Sequence, residues 1–302
     1  MANYAERGPG LLRRLRGGAG QMFQSNMARR IASAFLMMPI ALLGVWSGGP
    51  AFGALVGAMA VILLFEWTRM VEGAAFSPRF FLLAPSAAAA CLLASTGRHE
   101  MSAIAAFVGV AAASLAAAGA SPSRGESAGR RIAWMALAGP YLIAPAWALI
   151  WLRGHEPLGV ALTLSLFFVV WATDSGAYLA GRGMGGPRLS PSVSPKKTWS
   201  GVVGGLVAAI ATAIACDIVF FGASRPAIFG VCGAFLSMAT QLGDVTESTI
   251  KRRFGVKDTG GLIPGHGGAL DRLDGMIFAA LTAAAALLIT DLTQILEARS
   301  AG

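Results

Sequence analysis

A carboxylate, a hydroxyl and an ammonium follow one another at helical spacing in Asp244, Ser248 and Lys251, so a helix would carry all three on one face. They open the stretch from Gln241 to Gly275, QLGDVTESTIKRRFGVKDTGGLIPGHGGALDRLDG, which holds five acidic residues, five basic residues and a histidine. Beyond Gly255 glycine is dense, from Lys257-Asp258 through Gly260-Gly261 to Pro264-Gly265-His266-Gly267-Gly268. Such a backbone can approach a ligand closely. Asp271 and Asp274 then stand at i and i+3 on the first turn of the next apolar segment, where both can point the same way. Carboxylates on adjacent helix ends, with no cysteine among them, suit a hard oxygen-preferring cation such as Mg²⁺ better than zinc. Lysines and arginines around that cation match a polyphosphate. The chemistry expected is in-line phosphoryl or nucleotidyl transfer.

The elements that must position these residues are membrane helices. The chain has 302 residues, is 55% hydrophobic and 13% charged, and has a mean hydropathy of +0.64, against roughly 45–50% apolar residues in soluble domains. Nine apolar stretches are each close to the length that crosses a bilayer: 31–48, 51–68, 80–96, 102–120, 132–152, 158–178, 201–222, 226–243 and 275–293. The expected fold is an all-α polytopic transmembrane bundle of nine spans. With the N-terminus in the cytoplasm, 20 of the 24 basic residues fall on the cytoplasmic side, leaving Arg98, Arg153, Arg225 and Arg299 outside. Residues 1–30 read as a basic cytoplasmic arm, 31–157 as spans one to five, and 158–302 as a catalytic region of spans six to nine with cytoplasmic loops. The first apolar run has no evident cleavage site and reads as an uncleaved span.

Upstream residues offer further polar candidates. Glu66-Trp67, near the end of span two, reads as a snorkelling or Arg69-paired carboxylate beside an interfacial tryptophan anchor, with a site role for Glu66 as the alternative. Span five should kink at Gly139-Pro140 and Pro145. Asp174 follows a bulky apolar run, so it should face a polar cavity or a basic partner. The loop after it ends in Ser194-Pro195-Lys196-Lys197-Thr198, two lysines with hydroxyls at a helix entrance, which suits an anionic phosphate. Asp217 reads as a core hydrogen-bonding group or a partner of Arg225, and Cys91, Cys216 and Cys232 as packing residues.

Ser248-x-Ile250-Lys251-Arg252, Lys257-Asp258-x-Gly260, Ile263-Pro264-Gly265-His266-Gly267-Gly268 and Asp271-Arg272-Leu273-Asp274 closely resemble the signature of the phosphatidate cytidylyltransferase family, the CDP-diacylglycerol synthases. Trp171 to Tyr178, Ser194-Pro195-x-Lys197-Thr198-Trp199 and Gln241-Leu242-Gly243-Asp244 are also similar to that family. Two departures stand out: Ala269 where a larger aliphatic is expected, and Ser200 where an acid is expected.

The resemblance implies that phosphatidate and CTP give CDP-diacylglycerol and pyrophosphate with Mg²⁺ or another divalent cation, and with room for a second cation. It implies Asp244 and Asp271 as metal ligands with Asp274 and Ser248 close by, and Lys197, Lys251, Lys257 and Arg272 on phosphates. Ser194, Lys196, Thr198, Arg252 and Asp174 join the substrate-binding set. A lipid phosphomonoester ionises near neutral pH, so no strong base is needed, and His266 suits hydrogen bonding to phosphate or loop shaping better than proton abstraction.

The expected setting is the bilayer of a bacterial cytoplasmic membrane, with the site facing the cytoplasm and no nucleic acid as partner. Small-residue faces on spans three, four and nine serve a homodimer or intramolecular packing equally. Two other readings stand beside this one: a cation-coupled membrane transporter, and a CTP-dependent enzyme acting on an isoprenoid lipid phosphate.

Overall fold

The structure, a computed structural model, describes residues 38–74, 76–119, 127–191, 193–260 and 267–290. The basic arm of residues 1–30, the start of span one, the tail of span nine beyond 290, and His266 with the loop 261–266 lie outside the described residues.

Among the described residues, eight helical spans are long and apolar enough to cross a membrane, and Met38–Ser47 is a shorter apolar helix before them. This accords with nine spans. In chain order the helices are α1 (Met38–Ser47), α2 (Gly49–Glu72), α3 (Pro78–Ser95), α4 (His99–Ala118), α5 (Ala128–Ala138), α6 (Ala144–Arg153), α7 (Gly159–Met184), α8 (Trp199–Phe221), α9 (Pro226–Arg253) and α10 (Leu270–Thr290). The chain is a multi-pass membrane protein.

Local sequence explains the breaks. Gly48 and Gly49 take φ of 62° and 47°, a region costly for other residues, and so reverse the chain between α1 and α2. Ser77 caps α3 by accepting the Phe80 N–H at 3.1 Å, with Pro78 in the first turn. At Gly139–Ile143 the fifth span widens into a π-helical turn between α5 and α6. There the missing N–H of Pro140 is absorbed, which is the disruption expected at that dipeptide.

Several helices overrun their apolar windows. α7 continues to Met184 and α10 begins at Leu270, five residues before its apolar stretch. Hydropathy marks where lipid ends, whereas the backbone ladder continues into polar turns. α9, at 28 residues, is about 42 Å long at 1.5 Å per residue, more than the hydrocarbon thickness, and it carries Asp244 to Lys251 in its last third.

The loop after α7 is not wholly irregular. β1 (Arg188–Ser190) and β2 (Ser194–Thr198) form an antiparallel hairpin pairing Arg188 with Thr198 and Ser190 with Ser194. One apolar cluster joins α2 to α5 with the end of α9 and the start of α10, and another joins α6 to α10. As a result the ends of α2, α7 and α9, the starts of α8 and α10, and the hairpin gather at one end of the bundle. Arg153 lies buried at the other end, donating to the Val45 carbonyl and pairing with Glu156, each at 2.5 Å.

Candidate functional site

The site is built on the crossing of α9 over α10. A Cβ on Gly243 would land on the carbonyl oxygen of Asp274 and 3.1 Å from its carbonyl carbon. One on Gly275 would lie 2.6 Å from Thr240 Cγ2 and 3.3 Å from Asp244 Oδ1. The two helices can meet this closely only because both positions are glycine, and the contact sets Asp244 beside Asp274.

Two turns further along α9, Lys251 Nζ lies 2.6 Å from Glu247 Oε2 and 2.7 Å from Asp271 Oδ1. Asp271 also accepts the Gly268 N–H at 2.9 Å and the Thr259 N–H at 3.1 Å. Its carboxylate thereby ties the lysine to both sides of the glycine-rich loop. Ser248 is half-buried between the turns of Asp244 and Lys251.

The hairpin closes the opposite side. Lys197 in β2 forms an ion pair with Asp244, and Asp174, exposed on α7, lies in the electrostatic field of Asp244, Lys197 and Arg272. The two motif regions, 171–199 and 241–275, therefore share one polar locus. Thr198 caps α8 by accepting the Gly201 N–H at 3.2 Å, so its hydroxyl is engaged in holding the helix that follows Lys197. Ser200, one of the two departures, donates to the Gly185 carbonyl and sits 2.9 Å from the Thr198 hydroxyl, closing the base of the hairpin. Lys196, Arg252, Lys257 and Arg272 are exposed around this locus, and Ser194 is half-buried in β2.

The sequence reading passes over Glu247 and Thr259, and the structure departs from it at Glu66 and Trp67. Glu66 neither snorkels nor pairs with Arg69: it is fully buried and accepts the Thr259 hydroxyl at 2.9 Å and the N–H groups of Ala269 and Leu270 at 2.9 and 2.8 Å. Trp67 is likewise no interfacial anchor. It is fully buried, donates to the Trp134 carbonyl at 3.2 Å and packs on Trp134 and Tyr141. Both residues face the bundle rather than lipid, a choice made by the neighbouring helices. Glu247, buried beside Lys251, had a legible signal in its i,i+4 spacing to that lysine. Asp217, at the far end, accepts from the Ser224 hydroxyl at 2.8 Å and the Arg225 N–H at 3.2 Å, the core hydrogen-bonding role expected of it.

The donor chemistry fits a hard cation. Asp244, Asp271 and Asp274 offer oxygen only, the donor type a hard cation takes, and Asp274 stands in the field of the Asp244 and Glu247 carboxylates. Among the described residues, no group of three or more His, Cys, Asp or Glu side chains is arranged to hold a metal ion. In this arrangement Lys197 and Lys251 neutralise Asp244 and Asp271.

A bundle of apolar helices that gathers lysines and carboxylates at one end defines a membrane-embedded protein with a polar site. The chain belongs to the cytidylyltransferase family, which residues 28–290 match. It is similar to the phosphatidate cytidylyltransferase of Brucella suis biovar 1, with 39% identity over 263 residues, 85% of this chain and 91% of that protein. Its similarity to the phosphatidate cytidylyltransferase of Pseudomonas aeruginosa is 35% identity over 271 residues, 86% of this chain and 98% of that one. With the protein of that name from Haemophilus influenzae, identity reaches 47% over 131 residues, 40% of this chain.

Proposed function

We propose that this chain is a phosphatidate cytidylyltransferase of phospholipid biosynthesis, joining phosphatidate and CTP into CDP-diacylglycerol and pyrophosphate. A phosphate oxygen of the lipid attacks the α-phosphorus of CTP, the bond to the β-phosphate breaks, and pyrophosphate leaves. The observation that carries the reading is the pairing of Lys197 with Asp244 and of Lys251 with Asp271 at one end of the bundle, in a chain similar to proteins of that name.

Positive charge near the site does most of the work asked of the protein, since phosphoryl chemistry depends on positioning and charge neutralisation. Lys197 and Lys251 hold carboxylates in the resting arrangement and can exchange them for phosphate oxygens. Arg272, Lys257 and Arg252, exposed at the same end, receive the triphosphate from water. Asp244, Asp271 and Asp274 would hold a divalent cation, which would supply charge neutralisation for the phosphates. The basic loops support a reading in which this end faces the cytoplasm from a bacterial inner membrane, and phosphatidate arrives sideways from the bilayer.

Purified protein supplied with labelled CTP, phosphatidate vesicles and Mg²⁺ should form CDP-lipid and pyrophosphate in equal amounts. Absence of any CTP-dependent lipid product would overturn the assignment. Isoprenoid phosphates added as competitors decide the lipid class: they should leave the rate unchanged, and their conversion in preference to phosphatidate would reassign the substrate.

A further inference from the structure

Glu66 lies in α2, outside the elements that carry the lysine–carboxylate pairs, yet among the described residues the three donors that meet it come from the stretch 241–275. Its Oε2 accepts the Thr259 hydroxyl at 2.9 Å and the Leu270 N–H at 2.8 Å, and its Oε1 accepts the Ala269 N–H at 2.9 Å. A fully buried carboxylate among Leu63, Leu64, Trp67 and Met70 is expensive, and the packing of α2 itself does not call for one.

Its partners show what it does. Ala269 precedes the first turn of α10, where the leading N–H groups have no intrahelical acceptor, and alanine has no side chain with which to cap them. Glu66 supplies that cap from 203 residues away, with a negative charge at the positive end of the helix. Through Thr259 it also holds the other arm of the loop, and the Thr259 N–H in turn reaches Asp271. A Cβ on Gly260 would lie 2.5 Å from Glu66 Oε1 and one on Gly268 2.6 Å from Oε2, so the chain wraps this carboxylate at glycine positions.

We propose that Glu66 is a positioning residue for the transfer reaction: it fixes Thr259 and the first turn of α10, and so the place of Asp271 and Asp274. This rests on the cytidylyltransferase reading of the site. It also makes the N-terminal spans part of the catalytic apparatus rather than a scaffold for residues 158–302.

The test uses the full-length protein as Glu66→Gln and Glu66→Ala, with Thr259→Val alone and combined with Glu66→Ala. Amide hydrogen exchange without substrate should quicken in peptides covering 259–273 and stay unchanged in α3 and α4. The kcat, the KM for CTP or the Mg²⁺ dependence should worsen about tenfold or more in Glu66→Ala, the scale of one lost charged hydrogen bond. Glu66→Gln, which keeps one acceptor oxygen, should fall between that variant and wild type. Thr259→Val should add less in the Glu66→Ala background than alone. Unchanged exchange and kinetics in both Glu66 variants would overturn the proposal. So would a rate that falls only with the folded fraction while exchange rises evenly along the chain. Wild-type protein that forms no CDP-lipid would overturn the reaction assignment on its own, and the exchange data would still decide whether Glu66 holds the loop.

Discussion

Lys251 Nζ stands 2.7 Å from Asp271 Oδ1, joining the last turn of α9 to the first turn of α10. The same ammonium lies 2.6 Å from Glu247, so one cation stitches two carboxylates together at the point where the glycine-rich loop leaves and returns. Chemistry and architecture are therefore superposed in these residues, and variants must be chosen to separate them.

Asp271→Asn keeps the shape of the side chain and one acceptor oxygen for the Thr259 and Gly268 N–H groups. CDP-lipid formation should fall at least about 100-fold, as when a group that stabilises transition-state charge is removed, while the yield of folded protein is retained. Size-exclusion profile and turnover on one preparation check this. Full activity would remove Asp271 from the chemistry.

Lys251→Met should do two kinds of damage. Leaving Glu247 and Asp271 without their shared cation costs about 3–5 kcal/mol of stability, the penalty for breaking a buried pair. Adding Glu247→Gln removes one of the orphaned charges and should recover part of the melting temperature without recovering turnover. Thermal unfolding and turnover are read side by side.

Gly243→Ala places a methyl against the backbone of Asp274. Forcing the helices apart should cost about 1–3 kcal/mol and displace Asp244 from Asp274, so activity per folded molecule should drop. Gly119→Ala, where an added Cβ meets nothing within 4 Å, serves as the control and should match wild type.

Lys197→Ala and Thr198→Ala are adjacent but should differ in kind. Thr198 caps α8, and its loss should cost about 1 kcal/mol of stability with a modest change in rate. Lys197 pairs with Asp244, and its loss should lower kcat or raise the KM for CTP while the melting temperature moves little. Equal kinetic effects would refute this division.

Chelation tests the proposed cation. EDTA should abolish turnover and Mg²⁺ should restore it, with Asp244→Asn and Asp274→Asn raising the Mg²⁺ concentration needed for half the full rate. A metal-stripped enzyme that turns over normally would exclude a metal requirement.

Much of this protein was legible in its sequence. Hydropathy determined the number of spans, because roughly 20 apolar residues per crossing is a demand of the bilayer that a chain meets locally. Helical spacing placed Asp244, Ser248 and Lys251 on one face, because the period of 3.6 is a property of the backbone alone. Charge and glycine density marked 241–275 as the polar centre. Only the tertiary structure decided which pairs form: that Lys197 meets Asp244 across 47 residues, and that Glu66 reaches Ala269 across 203. A carboxylate near the end of a span reads the same in sequence whether it points to water or to a neighbouring helix. The packing of Trp67 against Trp134 and Tyr141 turns Glu66 inward, and that contact belongs to no single segment.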